Sequence, residues 1–195
     1  PQVELVFDES GRVIDAEKED DAFTHTIIEM FMVEANEAAA RLFNSLNIPM
    51  IRRVHSDPDP YDLTELRQFT RVAGYNIPAR PNRKELQALL DSVRGQPAQY
   101  AVHLWLLKTL SKAEYGPALI GHFALASEHY THFTSPIRRY ADLVVHRGID
   151  TYLQLASAKP AKTKLRRGTA DKLPDEPRLA EIGSHCSATE VNSEH

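Results

Sequence analysis

The stretch "SPIRRYADLVVHR", Ser135 to Arg147, concentrates the side chains of this chain best suited to do chemistry. Ser135 suits a helix N-cap and Pro136 the first helical position. The spacing therefore predicts a helix from this point, with Ile137, Ala141, Val144, Gly148 and Tyr152 on one face. Arg138 and Arg139 then fall in the first turn, where free N–H groups and the positive end of the helix dipole already gather positive charge. Cations there cost about a few tenths of a kcal/mol each. A bound anion removes the conflict, because exposed N–H groups, a Ser hydroxyl and guanidinium forks together make a phosphate site. Asp142 lies four residues after Arg138 and His146 four after Asp142, so the three share a face on which Asp142 can fix Arg138 or its neighbours. Arg147 extends the basic strip along the adjacent face. The same residues also suit a plain arrangement in which both arginines are solvated or paired with carboxylates, and side-chain physics leaves the two open.

Two other groups invite a chemical reading and do not sustain it. His122, His129 and His132 cluster, but their spacing matches no familiar metal-ligand pattern, so packing and hydrogen bonding are the expected roles. Cys186 follows His185, yet neighbours on a helix point apart, and a small buried side chain is expected.

The rest of the chain must position the arginine stretch. Its 195 residues, 42% hydrophobic, suffice for one domain or a piece of a larger one. With 23 Lys+Arg against 27 Asp+Glu, the formal charge of -4 excludes a generally basic surface, so any anion site is local. One cysteine permits no internal disulfide and fits a cytoplasmic location. No stretch has the length of a membrane span or the pattern of a signal peptide. The chain lacks an initiator Met and stops within a helix-like segment, so both ends are expected to be cuts in a longer protein.

Two short apolar runs around Asp8 to Gly11 predict a hairpin. From about Asp21 a long buried helix is predicted, with acids in its first turn and Phe23, Ile27, Phe31, Ala35, Ala38 and Leu42 on its apolar face. "IPMIRRVH" reads as a short strand. The next helix is bracketed by Asp59, Pro60 and Gly74, another opens with the Asn82 and Glu85 capping-box pattern, and a third follows Pro97. "PALIGHFALASEHYTHF" reads as partly extended. Residues 156–178 are polar, Pro-rich and basic, and read as a loop, a solvated connector rather than an RNA contact. A leading hairpin, scattered strands and at least five helices make the class α+β and mainly helical.

"HFTSPIRRYADLVVHR" closely resembles the signature of the RNB family, the exoribonucleases typified by RNase II and RNase R. "IIEMFMVEANEAAARLF" resembles the family's long helix, "IPMIRRVHSDPDP" the segment after it, and "HCSATEVNSEH" a late helix. Order and spacing agree over nearly the whole chain. The resemblance implies processive hydrolysis of single-stranded RNA from the 3′ end, with release of nucleoside 5′-monophosphates by a two-Mg²⁺ mechanism. It also implies a full-length enzyme that is monomeric. Arg138 matches the family's catalytic arginine, which contacts the 3′-terminal phosphate. Glu29 matches a glutamate that helps read the terminal nucleotide, and Ser135, Arg139 and Tyr140 match supporting RNA contacts.

One departure is large. The family's metal ligands lie in a motif of the form D-P-x-x-A-x-D-x-D-D upstream of the long helix, and this sequence has none. "DAEKEDDAF" offers carboxylates suited to Mg²⁺ but fails the spacing, since Phe23 and Thr24 stand where two aspartates belong. Residues 1–195 are therefore expected to be the C-terminal portion of an RNB catalytic domain, with the Mg²⁺ ligands in a missing upstream segment and little activity alone. The base clamp of the family also falls largely outside this region, and an S1-type domain is left open. The competing readings are a non-catalytic RNA-binding RNB-like regulator and, more remotely, a helical scaffold whose arginine pair binds a protein carboxylate.

Overall fold

The computed structural model describes residues 3–18, 23–157 and 173–193. It divides into two compact units, residues 1–35 and 36–195. Among the described residues the secondary structure is mainly helical with a few short strands, and the α+β class holds.

In the N-terminal unit, β1 (Val3–Phe7) pairs antiparallel with β2 (Val13–Lys18) as the predicted hairpin. Its turn is tied by the Asp8 carboxylate, which accepts from Ser10 N at 2.8 Å and Arg12 N at 2.9 Å, while Gly11 supplies a φ of 79°. The long helix α1 runs Phe23–Ser45. The acids expected at its start, Asp21 included, lie outside the described residues. Its apolar face is not the predicted one. Phe23 and Phe31 are exposed, at 78% and 68%, whereas the buried positions are Asn36, Ala39, Ala40 and Phe43. Asn36, which ranks as polar in any pattern, lies on the buried side with its hydrogen bonds satisfied within the fold.

In the second unit, the end of α1 contributes Ala39, Ala40 and Phe43 to a core completed by Ile48, Met50, Ile51, Tyr115, Ala141, Val145, Leu179 and Cys186. The predicted strand β3 (Arg52–Val54) pairs antiparallel with β4 (Glu114–Gly116). Helix α2 (Pro60–Val72) is capped by Asp59, whose carboxylate accepts from Tyr61 N at 2.7 Å, and ends before Gly74 at a φ of 89°. Helix α3 (Arg83–Ser92) opens with the full capping box, Asn82 and Glu85 exchanging bonds of 3.0 and 2.7 Å. Helix α4 (Gln99–Thr109) packs with α2 and α3 around Leu66, Leu86, Val93 and Val102, and Trp105 stacks on Phe69.

Residues 117–133 contain only a 3-10 turn at Phe123–Leu125 and isolated bridges of His122 to His55 and Ser127, so this stretch is irregular rather than a strand. Helices α5 (Tyr140–Ser157) and α6 (Glu176–Ser193) follow. They trim the loop expected over 156–178, and residues 158–172 lie outside the described ones. Helix α6 lies hard against β4. A Cβ on Gly183 would stand 2.5 Å from the Tyr115 carbonyl oxygen, and Ser187 Oγ accepts from Tyr115 N at 2.9 Å.

Candidate nucleic-acid site at the arginine turn

The segment "SPIRR" is not the start of a helix. Ser135 to Arg138 form a β-turn in which the Ser135 carbonyl oxygen accepts from Arg138 N at 3.3 Å and Arg139 N at 3.2 Å, and α5 begins only at Tyr140. Proline fixes φ for the second position of such a turn as readily as for a first helical turn, which is why the sequence pattern misleads. Ser135 acts through its carbonyl rather than as a side-chain N-cap, and Ile137 stands fully exposed instead of on the helix face.

This geometry separates the two arginines. Arg139 immediately precedes α5 and sends Nε to both oxygens of Asp142, at 2.7 and 3.0 Å. Asp142 is completely buried in the first turn of α5, where the dipole favours a carboxylate. Arg138 is exposed, and among the described residues its guanidinium has no ion pair. The expectation that Asp142 would hold Arg138 or its neighbours resolves to Arg139. His146, one turn further along α5, holds the Phe133 carbonyl with Nε2 at 2.8 Å and stacks on the Phe133 ring at 4.3 Å.

Arg138, Arg139 and Tyr140 line a cleft of about 290 Å³ closed by Tyr115 of β4 and by Cys186, Thr189 and Glu190 of α6. Behind it Arg53 makes a bidentate pair with Glu190, at 2.6 and 3.2 Å, and lies 4.5 Å over the Tyr115 ring. Three guanidinium groups thus meet two carboxylates, and the charge left uncompensated is that of Arg138.

The neutral groups of the site are held neutral by burial. Desolvation pushes the Tyr115 hydroxyl up to about 12, against the opposing pull of Arg53. Burial first, then Arg139 and Arg53, hold His132 down to about 3. The 2.8 Å bond between the Tyr115 hydroxyl and His132 Nδ1 therefore joins two neutral groups. Burial likewise raises the Cys186 thiol, and Cys186 faces the core while His185 is exposed, as their adjacency on a helix requires.

Of the residues expected to act, the turn brings Arg138, Arg139 and Tyr140 together on the cleft, with Ser135 in the backbone of the turn. Glu29 stands exposed on α1 in the N-terminal unit. Arg147 lies with its guanidinium 5.8 Å from the Tyr140 ring centroid. His122 and His132 pack against His55 and Tyr130. Arg53, Tyr115, Glu190 and Asn36 escaped the sequence reading. Adjacent arginines in a strand must point to opposite faces, a signal that separates half-buried Arg53 from buried Arg52. The other three join the site only through contacts distant in sequence. Among the described residues no group of three or more His, Cys, Asp and Glu side chains could hold a metal ion, so the donor set does not fit one. The carboxylates of "DAEKEDDAF" from residue 19 to 22 lie outside the described residues.

The family model of the RNB domain matches residues 1–155. The chain belongs to the RNB family. Ribonuclease R of Thermotoga maritima is 40% identical over 157 residues, which is 78% of this chain and 22% of that protein. Ribonuclease R 1 of Lactococcus lactis subsp. lactis is 35% identical over 196 residues, 99% of this chain and 23% of its own length. The fold superposes on Mycoplasma genitalium RNase R in complex with ribose-methylated single-stranded RNA with a TM-score of 0.80 and 29% identity, over 97% of this chain and 29% of that one. The RNB chain described above thus spans under a third of the length of each relative. No helix among its described residues is long and apolar enough to cross a membrane.

Proposed function

We propose that this chain supplies the phosphate-binding part of a hydrolytic 3′-to-5′ exoribonuclease that acts on single-stranded RNA and releases nucleoside 5′-monophosphates. The observation that carries the reading is the uncompensated guanidinium of Arg138 at the edge of the cleft, beside the self-paired Arg139 and Asp142. A phosphodiester brings the missing negative charge, and the planar fork of Arg138 suits its two free oxygens. In hydrolysis, water adds to phosphorus and the bond to the preceding 3′ oxygen breaks. Negative charge builds on the phosphoryl oxygens, and a cation already in place there stabilises the transition state more than the ground state.

The other residues have smaller parts. Tyr140, half exposed beside Arg147, offers a ring for contact with the nucleotide next to that phosphate. Arg139 acts by fixing the turn, and Ser135 by closing it. Glu29 is assigned to the terminal nucleotide by its place in the family motif, which its exposure on α1 permits. Mg²⁺ belongs to this reading as a cofactor held by carboxylates outside these 195 residues.

The test is Arg138→Ala in the full-length protein, with 5′-labelled single-stranded RNA and product analysis for mononucleotides. The expected result is a fall in kcat of at least about 100-fold, the size seen when one transition-state donor is removed. The slope of log affinity against log salt should fall by about 0.7, the value for one single-strand phosphate contact. Unchanged kcat and slope would overturn the assignment. RNA binding by the wild-type protein without any release of mononucleotides would point instead to a binding regulator.

A further inference from the structure

The turn that carries Arg138 is not held by its own residues alone. Asn36 of α1 is 3% exposed and makes three hydrogen bonds to a segment almost a hundred residues away. Its Oδ1 accepts from Phe133 N at 2.8 Å and Thr134 N at 3.2 Å, and its Nδ2 donates to the Tyr130 hydroxyl at 3.0 Å. Two backbone donors fix which end of the amide is oxygen. From the opposite side His146 takes the Phe133 carbonyl and stacks on the ring. Both polar groups of the Phe133 peptide unit, and the N–H of Thr134, are therefore clamped between α1 and α5. Ser135, whose carbonyl closes the arginine turn, is the next residue.

We infer that Asn36 is a positioning residue for Arg138: by anchoring Phe133 and Thr134 it sets where the turn begins, and so where the Arg138 guanidinium stands. The inference rests on the phosphate reading above and adds a residue to it. A buried asparagine in an otherwise apolar helix stripe is costly unless every bond is made. Here all three bonds go to the segment that leads into the turn, rather than to the α1 backbone. An apolar residue of the same size would leave two part-buried N–H groups without their acceptor and free the segment to shift. Displacements of about 1 Å at a catalytic group cost on the order of 100-fold in rate.

The experiment is a double-mutant cycle in the full-length protein, with Asn36→Leu, Asn36→Asp, Arg138→Ala and the Asn36→Leu/Arg138→Ala pair. Release of mononucleotides from single-stranded RNA and the salt dependence of RNA affinity are both measured. Asn36→Leu should lower kcat by at least about 30-fold while the affinity for RNA falls no further than it does in Arg138→Ala, because the fault lies in the placement of one group. The pair should be no slower than Arg138→Ala alone, within about twofold, since Asn36 acts only through that arginine. Asn36→Asp keeps the two acceptor contacts, and the Tyr130 hydroxyl can turn to donate. It should return kcat to within about threefold of wild type, which a general folding defect would not allow.

Full activity of Asn36→Leu beside a crippled Arg138→Ala overturns the positioning role and leaves the phosphate reading standing. Additive losses in the pair, or no rescue by aspartate, overturn it as well. If the wild-type protein releases no mononucleotides, the exonuclease reading fails by itself. The salt slope then decides the role of Asn36, which must lower the slope by the same amount as Arg138→Ala or be rejected.

Discussion

Removing Arg139 should damage the fold far more than removing Arg138, although the two are adjacent and chemically identical. Asp142 has no exposure, and Arg139 Nε touches both of its oxygens at 2.7 and 3.0 Å. At an effective dielectric near 20, unit charges about 3 Å apart attract by roughly 5 kcal/mol, and most of this offsets the desolvation of the two ions. Loss of one partner leaves the desolvation of the other, for which buried pairs show about 3–5 kcal/mol. The carboxylate lies in the first turn of α5, and the dipole there returns about 1 kcal/mol, so the lower end applies. Arg139→Met should therefore destabilise α5 by about 3 kcal/mol, roughly 150-fold in an equilibrium constant. Arg138→Ala, at an exposed position, should stay within about 0.5 kcal/mol. Amide hydrogen exchange of the Ala141–Val145 segment, followed by mass spectrometry in the full-length protein, reads this locally. Arg139→Met/Asp142→Leu should recover most of the lost protection, because deleting both charges of a buried pair is commonly neutral. A single variant with protection within threefold of wild type, or a double variant no better than the single, would refute the assignment of Arg139 to the fold.

Three further outcomes follow from the geometry. His132 binds its proton far less readily in the fold, at about 3, than its ordinary 6.5, so the unfolded chain takes up more protons between those values. Stability is whole above pH 6.5 and falls as the pH drops towards 3, by at most about 1.4 kcal/mol per pH unit from this group, and His132→Gln should flatten that part of a pH-dependent unfolding profile. Gly183→Ala places a methyl 2.5 Å from the Tyr115 carbonyl oxygen, a backbone atom that cannot swing aside, and should cost about 1–3 kcal/mol by thermal unfolding, while Ser184→Ala on the exposed side should be neutral. The purified 195-residue chain should release no mononucleotides from RNA with Mg²⁺ present, since its described residues hold no metal-binding cluster, and measurable release would contradict the placement of the ligands elsewhere.

What could be read from the sequence was what short-range physics controls. The Asp59, Pro60 and Gly74 bracket and the Asn82 and Glu85 box were legible because every bond that makes them spans four residues or fewer. The hairpin and β3 appeared for the same reason, as short apolar runs beside turn residues. The failures all involve a distant partner. The buried stripe of α1 was assigned to the wrong side, and Asn36 within it counts as polar until Tyr130 and Phe133 arrive from the far end of the chain. The pairs of Arg53 with Glu190 and of Tyr115 with His132 cross 137 and 17 positions, and no local pattern announces them.

"SPIRRY" lies between these cases, and its misreading is informative. Ser, Pro and a following apolar residue fit a helix start and a β-turn equally well. The choice of the turn is made elsewhere, because Phe133 and Thr134 are already bound by Asn36 and His146 before the chain reaches Ser135. Had the helix begun at Pro136, both arginines would lie in its first turn, in conflict with the dipole. The turn delays the helix to Tyr140, so that its first turn carries Asp142 instead. One arginine is thereby spent on neutralising that aspartate, and the other is left charged, exposed and fixed at its backbone. The cation left unbalanced is Arg138, the residue proposed above to meet the RNA phosphate.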